Sequence, residues 1–132
     1  MSKHFAGNDS ALAGPALRAF NQIAKAWSLT TSERSAVLAQ PEDIVVTVAQ
    51  TGVVEELPPE TLERISYVLG IYHALHTIFP NQAQADGWIR RPSTAGLFKG
   101  ATALALMCSG KIEDLASVRA FLEAGGLVDS SL

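Results

Sequence analysis

The chain has 132 residues, enough for one domain or for two small subdomains that share a core. Charged residues make up only 17% of it, against the usual ~25%, so we expect part of its apolar surface to meet a partner. A net charge of −3 excludes a generally basic nucleic-acid coat, and the single cysteine excludes an internal disulfide framework. Neither a transmembrane run nor a signal core is present, which predicts a cytoplasmic protein.

Residues 1–14 are polar and are predicted to form a flexible tail. A helical period begins at Leu17, with Pro15 near the start of the predicted helix. Thr30 and Glu33 then have the spacing of a capping box, which predicts a second short helix ending before Pro41.

Residues 41–52 are open to two interpretations. Pro41 and the acidic pair after it suit the first turn of a helix, and Gly52 suits its C-terminal cap. The β-branched run at 44–48 favours a strand by propensity. We favour the helix because the sequence offers no second strong strand to pair with this one.

The strongest predicted helix runs from Glu60 to Phe79, after a connector over 53–59. Its apolar residues cover more than half of its circumference, which is wider than a surface helix needs. Either it is a central helix that contacts two layers of its own chain, or it contributes to a dimer interface. The residues form two adjacent stripes, the first Leu62, Ile65, Leu69, Tyr72, His76 and Phe79, the second Val68, Ile71, Leu75 and Ile78.

The remainder of the chain predicts a loop-rich segment over 81–100 and a short apolar helix over 101–109. A last helix, capped by Asp114, ends before Gly125, and an apolar tail follows it. The fold class is therefore predicted to be all-α, with about six helices. A helix-turn-helix-like bundle would be joined by the long helix to a small helical C-terminal domain.

Candidate catalytic or metal-binding groups are few. His73 and His76 are three residues apart on the long helix. Because a metal site needs further ligands, we favour the interpretation that His76 lies in the core and His73 at its polar edge. Cys108 lies in an apolar run and has no adjacent base in the sequence. This setting is typical of an inert core cysteine. We expect no enzyme activity, no metal and no cofactor.

DNA binding through the helix-turn-helix-like segment is opposed by charge. Between Ser35 and Glu63 there is no lysine or arginine, and the same stretch carries six acids. Phosphate neutralisation dominates the affinity of proteins for DNA, so this composition is unfavourable. The candidate DNA-binding residues are Arg34, Thr47 and Gln50.

A combination of motifs in the C-terminal half is more specific. Trp88-Ile89-Arg90-Arg91-Pro92 is followed by Gly100, the apolar run 104–107, Gly110, and a final helix with Val118 and Phe121-Leu122. This order resembles the toxin-binding domain of the MbcA/ParS/Xre antitoxins. Upstream, 62–72 resembles the family's connecting helix and 19–38 its Xre-like helix-turn-helix start, so the resemblance covers roughly 17–124. The acidic segment at 41–51 departs from the recognition helix of that family.

The resemblance implies a type II antitoxin that neutralises a RES-domain toxin, an enzyme that depletes NAD. It implies an Xre-like region over 15–79, a toxin-binding domain over 80–132, a homodimer, and possible autoregulation through operator DNA, which the acidic segment makes doubtful. The alternative is a helix-turn-helix regulator without a toxin partner. The expected toxin-binding residues are Trp88, Arg90, Arg91, Pro92, Lys99, Gly100, Arg119, Leu127 and Val128.

Overall fold

The computed structural model describes residues 2–51, 58–93 and 95–125, with side chains described from 14 to 46 and throughout the last two ranges. Within these residues no strand forms, apart from one isolated bridge between Pro92 and Thr102. The all-α prediction is confirmed. The helices are α1 (Ser2–Ala26), α2 (Thr31–Leu38), α3 (Glu42–Thr51), α4 (Pro59–Ile78), α5 (Gln82–Gly87), a 3₁₀ helix (Trp88–Arg90), α6 (Ala103–Met107) and α7 (Ile112–Glu123).

The chain divides into two compact units, Met1–Ser66 and Tyr67–Leu132. The division falls inside α4, which contributes its first residues to unit 1 and the rest to unit 2. The sequence placed the domain boundary at the end of this helix, after residue 79. No described helix is both long and apolar enough to cross a membrane.

In unit 1, α1 buries the face that its apolar period predicts. The buried side chains on and just after it are Leu17, Phe20, Ile23, Ala24, Trp27 and Leu29. The predicted start of the helix near Pro15 is wrong, because the helix begins at Ser2 and Pro15 lies inside it. The flexibility expected of residues 1–14 stays a prediction, and the side chains up to residue 13 lie outside the described part.

The capping box at the start of α2 is confirmed. The Glu33 amide donates to the Thr30 hydroxyl over 3.0 Å, and the Thr30 amide donates to the Glu33 carboxylate over 2.9 Å. Ala39 ends the helix in the left-handed conformation. These caps satisfy backbone groups at both ends of a helix of only eight residues, so they define its length.

Residues 42–51 are helical, which resolves the ambiguity between helix and strand. Acids in the first turn favour the helix, and a lone strand would have left its backbone groups without partners. Pro41 lies one residue before the helix rather than at its first position. Val45 is buried, whereas Ile44 and Val46 are exposed. The cap expected at Gly52 and most of the 53–59 connector lie outside the described residues.

A buried arginine joins α2 to the start of α4. The Arg64 side chain is only 3% exposed, and its Nη1 donates to the carbonyl oxygen of Val37 over 3.3 Å. Its Nε and Nη2 donate to Glu60 over 3.0 and 2.8 Å. Beside it, the Gln40 amide donates to the buried hydroxyl of Thr61 over 3.1 Å. A positive charge at the C-terminal end of α2 is also favoured by the helix dipole.

Unit 2 is built on the second of the two predicted stripes of α4. Val68, Ile71 and Leu75 are fully buried, whereas Tyr72 and His76 of the first stripe are half-buried. In the rest of this unit α6 packs on α7, and the 3₁₀ helix packs on α5 and α6. The remaining buried side chains include Ala85, Ile89, Phe98, Met107, Leu115, Val118 and Leu122.

Two local predictions in unit 2 need correction. Residues 82–87 form α5 rather than a loop, because the Asn81 side chain caps the first turn by accepting from the Gln84 amide over 3.0 Å. The described residues therefore hold seven α-helices rather than about six. Asp114 is not the N-cap of α7, since Lys111 holds that position and the Asp114 carboxylate accepts from the Ser109 hydroxyl over 2.6 Å.

We predict that Arg64→Ala lowers the free energy of unfolding by about 2–4 kcal/mol, because the Val37 carbonyl loses its donor and the side-chain stem leaves a void. Urea denaturation followed by circular dichroism measures this. Glu60→Gln is the control, since Glu60 is 59% exposed and the glutamine side-chain oxygen can still accept a hydrogen bond from Arg64, so the loss should be about 1 kcal/mol. Equal losses from the two variants would contradict the account.

Candidate functional site

Three aromatic rings hold the loop that carries most of the expected site residues. The Trp88 and Phe98 rings meet edge to face with centroids 5.7 Å apart. Phe98 meets Phe121 of α7 in the same way at 5.2 Å. Trp88 is 6% exposed and Phe98 1% exposed, so both rings belong to the core. The favoured core interpretation of Trp88 is confirmed, and its role is to support the loop from below.

Backbone hydrogen bonds close this loop at its base. The Ser93 amide donates to the Ala101 carbonyl over 3.0 Å, and the Gly100 amide donates to the Ser93 carbonyl over 2.8 Å. Lys99 and Gly100 both have positive φ, 52° and 86°, which forms the turn that brings the chain back. Gly100 suits this conformation because it has no Cβ. Residues 92–93 and 100–102, distant along the loop, therefore lie side by side.

The outer surface of the loop is basic. Arg90, Arg91 and Lys99 are exposed, as are Pro92, which follows Arg91, and Gly100, which follows Lys99. From Gly87 to Ile112 the chain carries four basic residues and no acidic one, although its net charge is −3. We call the exposed residues Arg90, Arg91, Pro92, Lys99 and Gly100 the basic loop. It contains five of the nine residues that are expected from the sequence to bind a toxin.

Arg119 contacts side chains of α4 and α7 rather than the basic loop. Its Nε donates to Glu123 over 2.9 Å, and its guanidinium lies 5.8 Å from the centre of the Tyr67 ring. A Cβ at Gly70 would approach Arg119 Nε to 2.6 Å, so the absence of a side chain at Gly70 gives the arginine its place on α4. These contacts favour a role in joining α7 to α4 over the expected role in binding a toxin.

The structure describes the other expected site residues only in part. Leu127 and Val128 lie outside the described residues. Of the DNA-binding candidates, Arg34 is half-buried on α2, and its Nε donates to the Leu29 carbonyl over 3.4 Å. Thr47 and Gln50 lie on α3, but their side chains are outside the described part.

A histidine–aspartate pair was not predicted. His76 Nε2 lies 2.8 Å from Asp86 Oδ1, and the His76 ring lies on the Tyr72 ring with centroids 4.2 Å apart. His76 is thus a half-buried polar group that links α4 to α5. The turn at residues 79–81, followed by a capped helix, is the sequence signal that could have found this pair. Cys108 is half-buried rather than in the core.

His73, the other candidate ligand, is exposed. Among the described residues no group of three or more histidine, cysteine, aspartate or glutamate side chains is placed to hold a metal ion. His76 is instead committed to its contacts with Asp86 and Tyr72.

We predict that Phe98→Ala lowers the free energy of unfolding by about 3–5 kcal/mol, because it removes the ring that contacts both Trp88 and Phe121. Arg91→Ala is the control and should change stability by less than about 0.5 kcal/mol, since the side chain is exposed. Thermal and urea denaturation measure both. A Phe98→Ala protein as stable as the control would refute the supporting role of the aromatic rings.

We also predict that Gly70 and Arg119 are energetically coupled. In an Arg119→Ala background, Gly70→Ala should stabilise the protein by about 1 kcal/mol through helix propensity. In the natural background the new methyl group displaces Arg119 from Tyr67 and Glu123, so the gain should be smaller by about 0.5–1 kcal/mol. A double-mutant cycle in urea measures the coupling, and identical effects in the two backgrounds would show that none exists.

The chain is similar to a known protein over most of its length. No family model matches the chain. A protein of Sinorhizobium fredii described as uncharacterized protein y4oB is 36% identical over 118 residues, which cover 89% of this chain and 88% of the relative. The likeness therefore spans both compact units rather than one of them. The chain belongs to the same family as uncharacterized protein y4oB.

Proposed function

We propose that this protein is a type II antitoxin that binds a RES-domain, NAD-depleting toxin and blocks it by association. The proposal comes from the resemblance of the motifs at 88–122 to the toxin-binding domain of the MbcA/ParS/Xre antitoxins. The observation that carries it is the basic loop, in which residues of the resembling motif are exposed above a buried aromatic support.

The physical properties of the loop suit tight association. Hydrogen bonds close its base and Phe98 anchors its centre, so little conformational entropy would be lost on binding. Arginine presents a fork of donors that matches carboxylates and phosphates, and it is common among residues that dominate interface energies. Arg90, Arg91 and Lys99 therefore suit a partner surface rich in acidic groups.

A role for the helix-turn-helix-like part in DNA binding is the second candidate. The succession of α2, a three-residue turn and α3 in unit 1 favours it. The exposed residues at the start of α3 oppose it, because Glu42 and Asp43 would face phosphates and the neighbouring Ile44 and Val46 are apolar. We therefore place autoregulation through operator DNA second to toxin binding.

The proposal predicts that the product of the adjacent gene, expressed alone, stops growth and depletes NAD, and that this protein reverses both effects. Arg90→Glu/Arg91→Glu should weaken its association with the toxin at least about tenfold, because two favourable contacts become repulsive. Cell growth and intracellular NAD measure neutralisation, and calorimetry with the purified proteins measures affinity.

Arg18→Glu/Lys25→Glu is the matched control, since it changes the net charge equally on exposed residues of unit 1. It should leave the affinity for the toxin within about twofold of the natural value. NAD depletion that this protein does not reverse would refute the antitoxin proposal, as would an adjacent gene product without toxicity. Full neutralisation by Arg90→Glu/Arg91→Glu would refute the assignment of the basic loop.

A further inference from the structure

A polar depression on unit 1 is unexplained by toxin binding. Its volume is about 600 Å³, and it is lined by Asn21, Gln22, Lys25 and Arg34. We call this depression the α1–α2 groove.

The turn between α1 and α2 explains why two cations meet in this groove. Ser28 adopts a left-handed conformation with φ of 56°, and its amide donates to the Lys25 carbonyl over 3.0 Å. Trp27 and Leu29, on either side of it, are buried. The chain therefore reverses within four residues, which places Lys25, in the last turn of α1, beside Arg34 of α2.

The charge around the α1–α2 groove is positive. Its lining holds two cationic and two amide side chains and no acidic one. From Ser10 to Ser32 the sequence carries no acid, and the exposed Arg18 lies about two turns before Lys25 on the same helix. Glu33, the acid next to Arg34, accepts from the Thr30 amide over 2.9 Å and does not line the groove.

We infer that the α1–α2 groove is a binding site for a phosphate group, held by Lys25 and Arg34 with Asn21 and Gln22 as further donors. Lysine and arginine side chains together with amide donors are the groups that bind phosphate oxygens in proteins. The phosphate comes either from a nucleic-acid backbone or from a small free anion. The groove lies in unit 1, whereas the basic loop lies in unit 2.

Two titrations of the full-length protein test this inference. Inorganic phosphate is added to the ¹⁵N-labelled protein, and amide and Arg34 side-chain shifts are followed by NMR. A fluorescent duplex of arbitrary sequence is titrated by anisotropy at low and at moderate salt. Phosphate should shift the signals of residues 21–34, and Lys25→Gln/Arg34→Gln should abolish those shifts.

Duplex binding that Lys25→Gln/Arg34→Gln weakens at least about tenfold, with a salt slope reduced by about 2, would identify a nucleic-acid backbone as the source. Phosphate binding without duplex binding would identify a free anion. Arg90→Gln/Arg91→Gln is the control, since it removes the same charge from unit 2 and should leave the shifts at residues 21–34 unchanged. Absence of phosphate shifts at these residues, or equal shifts in Lys25→Gln/Arg34→Gln, would overturn the inference.

Discussion

The buried guanidinium of Arg64 is the interaction on which the organisation of unit 1 depends. It joins the carbonyl end of α2 to the start of α4, in a position where little water is available to replace it. A short helix such as α2 has too few internal hydrogen bonds to be stable alone, so its caps and this contact define its place. The same α4 then continues as a core helix of unit 2, where Val68, Ile71 and Leu75 are buried.

Burial and charge are distributed differently in the two units. In unit 2 the aromatic rings of Trp88, Phe98 and Phe121 form a rigid support, and the residues above them are basic. In unit 1 the start of α3 is acidic, and the cations other than the buried Arg64 lie on α1 and α2. Such a separation, within a chain of low total charge, suits the binding of two different partners at two surfaces. The proposed toxin and phosphate sites are these surfaces.

The sequence predicted the features that depend on local pattern. The apolar period from Leu17, the capping box at Thr30 and Glu33, and the long helix α4 are all present. It missed α5 because a six-residue helix has too little periodicity to be recognised, and its Asn81 cap is then the main signal. Within the candidate site, the exposure of the arginines and the burial of Trp88 could be predicted from their residue types alone.

Features that depend on distant contacts could not be predicted in the same way. The pairing of His76 with Asp86 and the place of Arg119 above Gly70 arise from tertiary packing. The hydrogen bonds that bring Lys99 and Gly100 beside Ser93 are equally invisible in the sequence. The resemblance to the antitoxins indicated which region of the chain holds the proposed site. The geometry of that region comes from the structure.

Hydrogen–deuterium exchange of the full chain, alone and in complex with the product of the adjacent gene, tests the central claim most directly. The account predicts that complex formation slows exchange of the backbone amides between residues 88 and 102, where the basic loop lies. Protection confined to the amides of residues 2–51, or no protection at all in a mixture with the active toxin, would contradict it.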